Sequence, residues 1–530
     1  MLSLLPIVIN LVSAVIIFTL TKIKMNIGRV WLITAILSLL NWGFIFGVRW
    51  LLPLRFEIVE WFPIGEIYQR AIVLQVDSIS WPLLFALCAV QTAVIITDSS
   101  RLNDIPSPYI WTGVFLIYSV GFLAVLSNSI ITFFLLWALV DLIELIVLIR
   151  TVSTTEQTKE VAISFAVKIL GLFLLILGFL VSFNKGLPLG INQIGNDVGI
   201  YILLAVGLRL GVIPFNLPYV SGSPVRRGLG NAIRMVSVST SIIVLLRLPI
   251  ASFEETALNL ILTMTSLGIL FGAIMWYSSK DELEGRPYWI ITLAGLSIFS
   301  SVQDVQIAAL SWSLVLILCG SVLFLYSARG RIFTIIPLIA VIGISGLPFT
   351  PAAAGWQGIV VEGNIIRNII KILSISFIIL GFMKHSNYTT TLLSEKEKWI
   401  WITYPIGLIL LIITHWLIVL FSDLKLFIPG EIVVSIIAFL IPIIIFFLIT
   451  KFIKATEYVQ YFQNILTPFG KIFTDFLSLR WLYKLLWTVL GFLQRIVNLF
   501  ANLLEGQGGI VWVIVFLIMI ITLISSGDLT

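Results

Sequence analysis

The stretch Gly199-Ile-Tyr-Ile-Leu-Leu-Ala-Val-Gly-Leu-Arg209-Leu-Gly-Val-Ile-Pro214-Phe-Asn216 decides how this chain is read. It sets one arginine in the middle of an apolar segment and a proline five residues later. A guanidinium at membrane depth costs about 3 kcal/mol on insertion scales, so Arg209 is expected to face protein or a water-filled cavity rather than lipid. Pro214 removes a backbone donor and frees a carbonyl, a break tolerated at that depth only where neighbours or water satisfy the freed group.

Composition places this segment in a membrane protein. Of 530 residues, 59% are hydrophobic and only 11% charged, and the mean hydropathy is +1.12, far from an ordinary soluble domain. At about 20 apolar residues per crossing, the chain holds about 14–16 transmembrane helices in an all-α polytopic fold. Spans are expected to begin near Leu2, Trp31, Ser80, Tyr109, Ile130, Val161, Gly199, Gly230, Ala257, Tyr288, Ile307, Ile332, Asn364, Trp399, Glu431 and Gly509. Cys88 and Cys319 lie inside apolar runs without metal-ligand spacing, and His385 and His415 are too few and too far apart for a metal or haem pair. No phosphate loop or dinucleotide fingerprint occurs, so neither a cofactor nor a nucleotide is expected. The net charge of +6 sits in short membrane-flanking loops, which speaks for orientation and against nucleic acid.

With the N-terminus outside, the cytoplasmic loops collect most of the flanking basic residues, among them Lys22, Lys24, Arg29, Arg226, Arg227, Lys280, Lys396 and Lys398. The opposite loops carry scattered Arg49, Arg55, Arg70, Lys185, Arg247, Arg367 and Lys425. A miscounted helix would reverse this asymmetry partway along, so it supports both topology and count. The outer loop from Pro53 to Gln75 reads as a short extramembrane hairpin. From Lys454 to Glu505 charges alternate with Phe473, Leu477, Trp481 and Leu485, the pattern of an amphipathic helix lying along the membrane or a partner. The organisation is therefore N-terminal helices and outer loop (1–107), two central groups of spans (108–250 and 251–390), C-terminal spans (391–453), an amphipathic helix (454–505) and a last span (506–530).

Charges inside apolar segments carry the chemistry. Asp141 and Glu144 are three apart and share a helix face; Lys168 lies in the next span, Arg209 follows, and Arg234 stands in the first turns of the span from Gly230. A carboxylate with a basic partner in low dielectric changes its proton affinity when the partner moves, the physical basis of a relay. A static ion network holding helices in register fits the same residues, because arginine does not readily release its proton. The spans from Tyr288 to Val302, Ile307 to Tyr326 and Ile332 to Pro348 hold no Lys, Arg or His, leaving Ser311, Ser313, Ser321, Ser345, Thr350 and water for any path there.

Several runs, in order, resemble the antiporter-like membrane subunits of respiratory complex I and Mrp-type cation/proton antiporters. Val76-Asp77-Ser78-Ile79-Ser80 is similar to their Val-Asp-Gly-Leu-Ser, and Asn128 to Trp137 to the segment leading to their Trp-Glu pair. Arg209 to Asn216 resembles Lys-Ser-Ala-Gln-Phe-Pro-Phe-His at their broken helix, and Leu323-Phe324-Leu325 and Ser345-Gly346-Leu347-Pro348 stand where they have Leu-Phe-Leu and Ala-Gly-Leu-Pro. The resemblance implies two inverted five-helix repeats, a first over 108–250 and a second over 251–390, each with a discontinuous helix, broken here near Pro214 and Pro348. It also exposes departures. The glutamate after Trp137 is Ala138, with Asp141 one turn later; the broken-helix lysine is Arg209 and the histidine Asn216. The next lysine falls at Ser237 or Ser239, the one ahead of Leu-Phe-Leu at Gly320, and the charge after the second break near Gln357.

The function implied is that of an antiporter-like subunit of a complex I-like or Mrp-like assembly, moving protons or sodium ions along a rearranged axis of Asp141, Glu144, Lys168, Arg209 and Arg234. The alternatives are a degenerate structural or coupling subunit, and an independent transporter of a small solute or inorganic carbon. Partners are then other membrane subunits and the lipid bilayer, in a bacterial or archaeal cell membrane, with an organellar one as the alternative. No catalytic or redox site is expected in this chain. Any label as a subunit of an NADH:quinone oxidoreductase would belong to the assembly.

Overall fold

The computed structural model describes residues 2–58, 72–104, 107–152, 154–187, 190–213, 216, 227–249, 255–329, 333–359, 365–386, 391–392 and 397–452. Beyond these it describes 508–527 and a few positions between 487 and 498. Each of the sixteen expected spans corresponds to a helix. They are α1 (Leu5–Lys22), α2 (Ile27–Val48), α3 (Ser80–Thr97), α4 (Tyr109–Leu126), α5 (Ile130–Thr151), α6 (Thr155–Asn184), α7 (Asn196–Leu210) and α8 (Arg227–Arg247). There follow α9 (Glu255–Ser278), α10 (Glu282–Val302), α11 (Gln306–Leu325), α12 (Ile335–Ser345), α13 (Ile365–Ser386), α14 (Ile400–Phe421), α15 (Ile432–Phe452) and α16 (Gly508–Gly527). Twelve helices among the described residues are long and apolar enough to cross a membrane, so the chain is a multi-pass integral membrane protein.

Where a helix begins ahead of its apolar run, a cap explains it. The Thr154 side chain accepts from Gln157 N at 3.3 Å and that of Asp281 from Glu284 N at 2.8 Å, so α6 and α10 each open with a polar turn that hydropathy does not see. The outer loop begins and ends as the expected hairpin, with strand β1 (Leu54–Ile58) antiparallel to β2 (Ile72–Val76); residues 59–71 and most of the amphipathic segment lie outside the described residues.

The chain divides into two units, Met1–Thr467 and Pro468–Thr530. In the second, α16 is a helix with an apolar centre, Val513 to Thr522. The first unit holds α1 to α15, with α3, α8 and α11 buried along nearly their whole length, while α1, α2, α5 and α6 expose apolar faces through Val15, Leu40, Leu135 and Phe173. This matches sequence: α8 is rich in Ser, Asn and Arg, residues that are costly against lipid and are satisfied inside protein. Helices α4–α8 and α9–α13 form two successive sets of five, and in each set the fourth member is short and ends on a left-handed glycine, Gly211 (φ +77°) and Gly346 (φ +65°).

Buried tryptophans tie the helices together through backbone carbonyls. The indole N–H of Trp31 donates to Ile95 O (2.8 Å), of Trp81 to Ile45 O (2.9 Å), of Trp137 to Thr240 O (3.1 Å) and of Trp276 to Ile378 O (3.2 Å). An amide cluster joins α1, α2 and α3: Asn10 and Gln91 exchange two hydrogen bonds, and Asn41 donates to Asn10 Oδ1 at 2.9 Å. All three side chains are fully buried, where an unpaired amide would be costly.

Candidate functional site

Four of the five intramembrane charges meet in the first repeat as two ion pairs. Asp141 and Glu144, one turn apart on α5, are buried, and so are their partners Arg209 on α7 and Lys168 on α6. Arg209 grips Asp141 with both terminal nitrogens, Nη2 donating to Oδ1 at 2.9 Å and Nη1 to Oδ2. Lys168 Nζ donates to Glu144 Oε2. A third element closes the group: on α8, Ser241 Oγ accepts from Arg209 Nε at 3.3 Å, and Ser237 Oγ, one turn earlier, stands 3.4 Å from Lys168 Nζ. The guanidinium also lies over the Trp137 ring, 4.3 Å from its centroid. Room for its stem comes from Gly171, where a Cβ would approach Arg209 Cγ to 3.1 Å.

The two pairs differ in what they can do. Arg209 has its donors engaged by a bidentate carboxylate and a hydroxyl and its face by an indole, so the Asp141 pair is a fixed charge arrangement. The Glu144–Lys168 pair instead joins a carboxyl and an amine, with the Ser237 hydroxyl 3.4 Å from the amine. Arg234 stands one turn before Ser237 on α8 and donates to Gly230 O of its own helix at 3.3 Å.

The break beside Arg209 is made by glycine. α7 ends at Leu210 and is closed by the left-handed Gly211, three residues before Pro214, which lies outside the described residues. The freed carbonyls are satisfied locally: Val212 N and Ile213 N both donate to Gly207 O, and buried Asn216 donates from its side chain to Leu208 O at 3.2 Å. In the second repeat the turn is at Gly346, two residues before Pro348. A proline only withholds a donor, whereas a reversal needs positive φ, which glycine adopts without strain. Asn216, where the resembled subunits have histidine, thus acts as a cap.

The corresponding interior of the second repeat is filled by tryptophan. A Cβ on Gly320 would lie 2.5 Å from Trp289 Nε1, on Gly346 1.9 Å from Trp356 Nε1, and on Gly355 2.7 Å from Trp312. Trp289 and Trp312 donate to Leu316 O (3.1 Å) and Gly355 O (2.7 Å), the former inside a π-helical turn over Val315–Cys319. Rings therefore occupy the place where the sequence resemblance would put a lysine ahead of Leu-Phe-Leu.

Three charged contacts were not legible as such. Arg247, counted above as a loop charge, is buried and pairs with Asp77 at 3.4 Å while also donating to Ser127 O. Asp77 caps α3, accepting from Ser80 N at 2.7 Å and Ile79 N at 3.1 Å. Burial by itself would raise the Asp77 carboxyl, but the Arg247 charge and the hydrogen bonds from Ser80 and Gln75 outweigh it and hold it below the ordinary value of 3.8. Arg227 pairs with Glu282 and donates to Tyr326 O at 3.1 Å. Lys371 is buried in α13, six residues into a run read only for its hydropathy. Among the described residues no three His, Cys, Asp or Glu side chains come together as a metal-binding group.

No protein-family model matches the chain, and no curated protein matches it by sequence. Solved structures do match. A chain of the Mrp complex from Dietzia sp. DQ12-45-1b superposes with a TM-score of 0.65 at 14% identity over 94% of this chain, which spans 63% of that subunit's length. A chain of the membrane-bound sulfane sulfur reductase, an archaeal respiratory membrane complex, gives 0.67 at 16% identity, covering 98% of this chain and 99% of that one. A chain of respiratory complex I from Thermus thermophilus gives 0.57 at 15%, covering 78% and 97%. The chain thus has the antiporter-like membrane-subunit fold shared by these complexes, as a divergent example of it.

Proposed function

We propose that the chain is an antiporter-like subunit of a multi-subunit membrane assembly of the complex I or Mrp kind, contributing to proton or sodium movement through Glu144 and Lys168. The observation that carries this reading is the pairing of two exchangeable groups, buried one turn from a locked Asp141–Arg209 pair and beside a broken helix. In it the locked pair supplies a constant field, while the exchangeable pair changes charge. The assembly lies in a bacterial or archaeal cell membrane with the N-terminus of this chain outside, and its other membrane subunits are the partners.

The test is ion movement by the whole complex in sealed vesicles carrying Glu144→Gln or Lys168→Met, with Asp141→Asn and Arg209→Ala alongside. Loss of movement in the first two, with the complex still assembled, is expected; unchanged movement in all four overturns the reading. The tryptophan-filled second repeat favours a second reading, a structural or coupling subunit without a through-path. Under it the variants alter assembly or coupling ratio and leave ion movement per turnover intact.

A further inference from the structure

We propose that Lys371 is a second proton-binding site of this chain, set apart from the first-repeat ion pairs and exchanging with the end of the protein where α15 begins. The inference rests on the reading that the chain takes part in proton movement. Lys371 is wholly buried, yet its two close partners are neutral: its ammonium donates to the main-chain carbonyl of Ile359 and lies 4.0 Å from the centre of the Phe299 ring. A carbonyl and a π-face hold the charged form, but neither carries the countercharge that Glu144 gives Lys168. Lysine, unlike arginine, gives up its proton in such surroundings. Helix α15 packs against α13, with Ser376 donating to Ala438 O at 3.0 Å, and the charged side chains at this end are Glu431, just before α15, and Arg367, one turn earlier on α13.

Its position separates it from the ion pairs. Along α10, Phe299 stands ten residues beyond Trp289, about 15 Å at 1.5 Å per residue, so Lys371 lies well past Trp289, toward the end where α10 and α14 finish. Ile359 follows Gly358, whose φ of +71° turns the segment after the second break back toward α13. The second repeat thus keeps a buried amine beside its own break although α10, α11 and α12 carry none at that depth, and this amine can exchange a proton where Arg209 cannot.

Lys371→Met and Lys371→Arg, each in the full chain within its complex, separate proton binding from bracing of the 346–359 segment. Both variants are expected to assemble and both to slow proton movement in vesicles by roughly a hundredfold or more, because methionine carries no proton and arginine does not release one. A Lys371→Arg complex that moves protons like the wild type overturns the proposal. Should both variants fail to assemble, Glu431→Gln decides: the pH profile of its proton movement is expected to move to the acid side, because a neighbouring negative charge favours the ammonium, and an unmoved profile overturns the proposal. Loss of movement in Glu144→Gln with the Lys371 variants unaffected removes this site and leaves the first-repeat reading; movement unaffected by all of them removes both.

Discussion

Arg209 shows how a single charge can be affordable at membrane depth. Its bidentate partner, a serine and an aromatic face replace most of its hydration, and the cost of desolvating two ions is offset only while both are present. Asp141→Asn alone is therefore expected to lower stability by about 3–5 kcal/mol, whereas Asp141→Leu with Arg209→Met recovers most of it. Thermal unfolding of the detergent-solubilised complex, followed by size-exclusion fluorescence, distinguishes the two. At Asp77 an ion pair also sets a pH dependence of stability. A carboxyl held below 3.8 supplies stability that is complete above that value and disappears as pH falls through its lowered folded value. The difference in melting temperature between wild type and Asp77→Asn is thus expected to be flat from about pH 5 to 8 and to shrink only in strong acid; a difference that shrinks near neutrality would contradict the Arg247 pairing. Of these residues Asp141, Glu144, Lys168 and Arg209 were legible because each is a charge inside an apolar run. Lys371 and Arg247 were not singled out, since a charge within a few residues of a helix end reads equally well as a flank.

At the scale of the element, the decisive positions are the left-handed glycines and the amide cluster. Gly211→Ala is expected to cost about 1 kcal/mol or more through its positive φ. Gly346→Ala should be far more damaging, because its Cβ would also collide with Trp356, 1.9 Å away. A melting temperature unchanged by Gly346→Ala would show that the second break does not depend on that turn. Gln91→Leu leaves Asn10 without its reciprocal partner and is expected to lose about 1–3 kcal/mol per buried amide left unpaired, while Ser13, bonded only within its own helix, tolerates alanine. Helix positions followed from hydropathy, and two prolines put the expected breaks near 214 and 348; the residues on which the helices end, Gly211 and Gly346, are set by the backbone dihedral freedom that a left-handed turn needs and not by a missing donor alone.

For the whole molecule, sidedness is the property most open to direct test. Ser78, Gln306, Ser422 and Asp423 line one cavity of about 260 Å³, bringing together the start of α3 and α11 with the end of α14. At the opposite ends of the same layer Arg227 meets Glu282 and Tyr326 O, from the starts of α8 and α10 and the end of α11. Each group collects only helix ends that the basic-residue count assigns to one face. With Cys88 and Cys319, both buried, replaced by alanine, a cysteine at Asp423 is expected to react with a membrane-impermeant maleimide added outside intact cells, and one at Lys280 only after the cells are opened. Labelling of both from one side would refute the topology.

The sequence by itself determined the membrane class, the succession of spans and the four charges that pair in the first repeat. All of these are written in local quantities: run length, charge placement and a three-residue spacing on one helix face. Only the tertiary structure decided which carboxylate takes which cation, that Asn216 caps the break, and that tryptophans occupy the second repeat. Those outcomes depend on partners far apart in the chain, Asp141 with Arg209 or Gly320 with Trp289, whose meeting is set by how helices pack and by which groups must be satisfied once water is gone.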